Sequence, residues 1–103
     1  MIGYRLLMVD KRLAAERSLP GTELVEKGLA DLAAGAVTVE SLLVSIGAPR
    51  LRRLGLAVPP ALEYPEERLY LLLARDDPDG AHARHHALVR RLVSFERAAE
   101  SAH

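Results

Sequence analysis

The side chains best suited to chemistry lie in one short run near the C-terminus, His82-Ala83-Arg84-His85-His86. His82 and His86 stand four residues apart, so a helix would carry both imidazoles on one side, one turn apart, as two-histidine metal sites do. Asp79, a turn earlier, could add an oxygen ligand. The glutamate of a zinc-protease motif is missing, because Ala83 and Arg84 follow His82 directly. Two imidazoles do not complete a coordination sphere. The alternative is that His82 and His86 extend a packing row with Val89 and Val93, and no metal or other cofactor is expected. His85 falls within the main apolar row of the same segment.

A second set of residues is basic. From Thr38 to Leu56 a capped helix, a glycine at Gly47 and the arginines Arg50, Arg52 and Arg53 reproduce the outline of a helix-turn-helix. A reading helix must bring several side chains against base edges in the major groove. Here the second helix would run only about two turns before Gly55, with no Asn, Gln, Ser or Thr beside its arginines. The alternative is a short connector whose arginines face solvent or pair with the acidic stretch 59–80.

No catalytic residues are expected. Glu63, Glu66, Glu67, Asp76, Asp77 and Asp79 lie at a helix start and in a loop, where capping and solvation account for them. Acid–base catalysis needs carboxylates whose pKa is moved by partial burial. Ser18, Ser41, Ser45, Ser94 and Ser101 sit in no nucleophile-elbow setting. The glycines are spaced as punctuation and form no phosphate-cradling loop.

The element that must position the histidines runs from Asp79 to Ala102. Ala81, His85, Leu88, Leu92, Phe95 and Ala99 recur at three- and four-residue steps, which lines one side of a helix. A second row, His82, His86, Val89 and Val93, is turned from it by roughly a quarter of the circumference. A surface helix needs only one such row. The double row predicts contact with a second neighbour or another chain, and makes His82, His86, Val89 and Val93 the candidate interface.

Upstream, Ile2 to Arg17 has helical spacing, although Tyr4 to Val9 also reads as a strand. Thr22 is placed as the N-cap of a helix to about Ala34, closed by Gly35. Thr38 caps the next helix, with Val37 and Leu42 as its hydrophobic staple and Gly47 as its end. A short helix follows from Ala48-Pro49, anchored by Leu51 and Leu54 and stopped by Gly55, Pro59 and Pro60. Pro65-Glu66-Glu67 opens another helix. Leu69 to Ala74 is apolar almost all round and is expected to be buried, as helix or as a central strand. Asp76 to Gly80 forms a loop in which Asp79 caps the final helix.

The fold expected is all-α, a small bundle of four main helices plus one short helix. Residues 1–103 form a single helical domain, with 1–18 peripheral. Its core comprises Leu24, Leu29, Leu32, Leu42, Leu43, Ile46, Leu69, Leu72, Leu73, Leu88, Leu92 and Phe95. With 103 residues, half of them hydrophobic, and no cysteine, such a core needs no disulfide or thiolate metal site.

Formal net charge is zero, which argues against a generic nucleic-acid binder. The charge is nevertheless segregated. Residues 59–80 hold six carboxylates against two arginines, net −4, whereas 81–103 hold four arginines against two glutamates, net +2. No apolar run reaches the roughly 20 residues a membrane helix requires, and the N-terminus lacks an export-signal pattern, so no membrane partner and a cytoplasmic location are expected. The leading functional expectation is a non-enzymatic protein–protein interaction module that forms a homo-oligomer through the C-terminal helix. A DNA-binding regulator using 38–56 comes second, and a metal-binding protein using His82 and His86 third.

Overall fold

The computed structural model describes residues 19–102. They form four helices: α1 (Thr22–Ala33), α2 (Val39–Arg53), α3 (Pro65–Asp76) and α4 (Ala81–Ser101). No strand occurs among the described residues, so 69–74 is helical. The reading of Ile2 to Arg17 lies outside them. Successive helices pack on one another, and α4 returns to contact α2 and α1, which closes one core.

Local sequence sets most of the helix ends. Gly35 adopts a φ of 75°, and the amides of Gly35 and Ala36 reach back to the carbonyls of Leu32 and Asp31. Gly55, at 98°, closes α2 in the same way, with Leu56 N donating to Leu51 O. This double closure needs a left-handed residue, which glycine supplies without steric cost. Thr38 caps α2 as expected: its hydroxyl accepts from Ser41 N at 3.0 Å, and Thr38 N donates to Ser41 Oγ at 2.8 Å. The Thr38 hydroxyl also donates to Asp31 at 2.7 Å, tying the cap to the end of α1. Val37, half exposed, lies outside the core.

Three boundaries differ from expectation. Gly47 does not end a helix: α2 runs unbroken through Gly47, Ala48 and Pro49, and the separate short helix becomes its last turns. Pro49 deletes one backbone hydrogen bond, but the packing of Leu51 and Ala48, both fully buried, holds the helix together past it. At the start of α1, Gly21 takes the N-cap position at φ 79°, and Thr22 lies inside the helix with its hydroxyl donating to Leu19 O at 2.6 Å. A side chain at residue 21 would meet the Arg91 carbonyl at 2.9 Å, so the close approach of α4 favours glycine there. Before α4, Asp79 makes no cap. Gly80 holds that position, and Asp77 accepts from Gly80 N at 3.1 Å.

The core centres on Val25, Leu29, Leu42, Leu43, Val44, Leu51, Leu69, Leu73, Leu92 and Phe95. Leu32 joins it, while Leu24, Ile46, Leu72 and Leu88 are only partly buried against it. Ala81 and Ala99, near the two ends of α4, are fully buried as well. The run 69–74 is not buried throughout: Leu69 and Leu73 face the core, but Tyr70 is 40% and Leu71 59% exposed. A helix presents these residues in different directions, and the neighbours of α3 cover only one of them.

Candidate functional site

Three places could hold function: the histidines on α4, the arginines at the end of α2, and the outer side of α3.

His82 and His86 project from the first two turns of α4 and are exposed, with ring centroids 6.5 Å apart and nearly parallel planes. Among the described residues no group of three or more His, Cys, Asp or Glu side chains is placed to hold a metal, so Asp79 does not complete a set with them. Val89 and Val93, further along the same row, are half-buried. His85 lies in the seam between α3 and α4. Its ring meets Tyr70 edge to face at 6.2 Å, and its Nε2 is buried with no hydrogen-bond partner among the described residues.

Of the three arginines, two are engaged within the fold. Arg50 lies between two carboxylates of α4, with Nη2 donating to Glu100 at 3.0 Å and Nη1 at 3.7 Å from Glu96. Arg52 donates to the carbonyls of Pro59 at 2.9 Å and Val58 at 3.3 Å, holding the linker against the end of α2. The continuous α2 also removes the turn that a helix-turn-helix requires.

Glu96 is the functional-type residue that the sequence reading passed over. It is only 4% exposed, at the crossing of α4 and α2, where Gly47 leaves room for it. A Cβ at residue 47 would lie 2.8 Å from Glu96 Oε2 and 3.0 Å from Leu92 Cδ2. Burial pushes the Glu96 carboxyl up from its ordinary range, against the opposing pull of Arg50 and Arg53. The signal was present in the spacing: Glu96 continues the row His82, His86, Val89 and Val93 by three residues.

Among the described residues, the outer side of α3 is the main apolar exposure. Glu67, Tyr70, Leu71 and Ala74 follow i, i+3, i+4, i+7 spacing; the first three are exposed and Ala74 is half-buried. Tyr64, at the N-cap of α3, is 72% exposed and held at φ 49°, a left-handed conformation uncommon for a bulky side chain. With Ile46, Pro65, Glu66 and Glu67 it lines an open cleft of about 420 Å³. That cleft pairs no nucleophile with a base, and its carboxylates make no hydrogen bonds among the described residues, so it lacks the elements of a catalytic site. Ser41 and Ser45 are buried and engaged: Ser45 Oγ donates to Ser41 O at 2.8 Å and accepts from Leu62 N at 3.0 Å.

No helix among the described residues is long and apolar enough to cross a membrane. No family model, no curated protein and no solved structure matches this chain.

Proposed function

We propose that this protein is a non-enzymatic helical interaction module whose contact surface is the α3–α4 hairpin, centred on the outer side of α3. The observation that supports this reading is the exposure of Tyr70 and Leu71, flanked by Tyr64 at the helix start, on a helix already anchored to the core by Leu69 and Leu73. Exposed apolar residues scattered singly are ordinary, but Tyr70 and Leu71 adjoin the half-buried Ala74 one turn on, a small apolar patch that fits a groove or helix on another protein. His82 and His86, on the neighbouring helix, extend the surface toward α4. The test is affinity capture from the native host with the wild-type chain and with Leu71→Glu, followed by mass spectrometry. Proteins retained by the wild type and lost with Leu71→Glu support the reading. Identical sets from both baits would overturn it.

A further inference from the structure

Resting on that interaction reading, we propose that the partner is a second copy of this chain, with the outer side of α3 of one copy laid against the arginine-bearing outer side of α4 of the other. Charge favours this pairing. The apolar centre of the α3 surface, Tyr70 and Leu71, is bordered by the exposed Glu63, Glu66 and Glu67. None of these carboxylates has an ion-pair partner among the described residues, and the stretch 59–80 carries net −4. Two α3 surfaces facing one another would set like charges together, which opposes association. The complementary surface is basic, and the chain itself provides one. Arg90 and Arg97, seven residues apart and so on one side of α4, are exposed and likewise unpaired among the described residues.

Within one copy these two sets do not meet. The ion pairs α4 makes with the rest of its own fold run elsewhere, from Arg91 to Glu23 on α1 and from Glu96 and Glu100 to Arg50 on α2. The contact between Tyr70 and His85 lies at the seam of the hairpin, so a helix resting on Tyr70 also reaches α4. When α3 meets the other copy's α4 and the reverse contact forms in turn, the association closes at a dimer, each contact being made twice.

The experiment is sedimentation equilibrium of the full chain across a concentration series, with circular dichroism to verify folding. The wild type is expected to dimerise, less tightly as salt is raised. Glu66→Lys with Glu67→Lys, and separately Arg90→Glu with Arg97→Glu, should each weaken the dimer at least roughly tenfold through like-charge contact. Combining all four substitutions in one chain should restore it, because both surfaces are then reversed together. A wild type that stays monomeric at every concentration overturns the self-pairing; if Leu71→Glu still strips captured proteins from that monomer, the interaction reading stands without it. A dimer that is indifferent to both charge sets, or that the combined set fails to restore, overturns the α3-to-α4 docking.

Discussion

α3 and α4 are both richer in apolar residues than one buried face requires, yet the fold treats them differently. On α4 the core row Ala81, Leu92, Phe95 and Ala99 is buried, and the second row is progressively covered toward the C-terminus: His82 and His86 are exposed, Val89 and Val93 half-buried, and Glu96 nearly inaccessible. At Glu96 the cover comes from α2, which crosses α4 at Gly47 and Arg50. α3 has no such second neighbour among the described helices on its outer side, and Tyr70 and Leu71 remain in solvent. An apolar surplus on a helix therefore shows that more than one side can be covered. It does not show whether the same chain does the covering.

The largest test of this contrast is truncation on either side of it. Phe95→Ala should cost about 3–5 kcal/mol and Leu69→Ala about 2–5 kcal/mol, because each empties a fully buried site. Leu71→Ala, two residues from Leu69, should change the stability of the single chain by less than about 0.5 kcal/mol. Urea titrations at a concentration where the chain is monomeric provide the comparison. A Leu71→Ala loss equal to that of Leu69→Ala would mean that the outer side of α3 is covered after all.

Gly47→Ala comes next, at about 1–3 kcal/mol, since the added carbon presses on Glu96 and Leu92 where α2 crosses α4. The substitution should be better tolerated in a Glu96→Ala background. Strictly additive losses in a double-mutant cycle would argue against that contact.

Acidity sharpens the covered half of α4. The folded Glu96 carboxyl holds its proton more tightly than the unfolded one, because burial penalises its charge. Its contribution to stability is therefore complete in acid, below the ordinary carboxyl range, and is lost as pH rises through the folded value. As pH rises above the ordinary carboxyl range, the stability of the wild type should decline relative to Glu96→Gln. Parallel curves for the two proteins would contradict the burial of a titrating carboxylate.

The smallest effect has the opposite sign. Asp31, hydrogen-bonded by Lys27 and then by Thr38, is held below its ordinary range, so its contribution is present at neutral pH and lost on acidification. Asp31→Asn should flatten the acid limb slightly. Because Lys27 is mostly exposed, that change should also shrink with added salt.

Much of the helical architecture was legible beforehand where single residues govern the backbone. Thr38 as a cap, Gly35 as a closure and Pro65 as a start follow from local geometry. The errors fell where a neighbour decided the outcome. Gly47 and Pro49 have the composition of a break, but deep burial of Ala48 and Leu51 carries α2 through them. Thr22 and Asp79 have the chemistry of caps, but Gly21 and Gly80 occupy the positions. Of the site residues, His82 and His86 were correctly placed on one helical side, while Asp79 did not join them. Glu96 was missed because a charged side chain in an apolar row looks like the row's end.

By itself the sequence determined the helical class, the four long segments and the leucines at their centre, because spacing and terminal residues act over a few positions of chain. Only the tertiary structure decided that α2 is unbroken, that a carboxylate lies buried beside Gly47, and that the uncovered apolar side belongs to α3. Those outcomes depend on which helix lies across which, a matter of contacts between residues distant along the chain that no local spacing encodes.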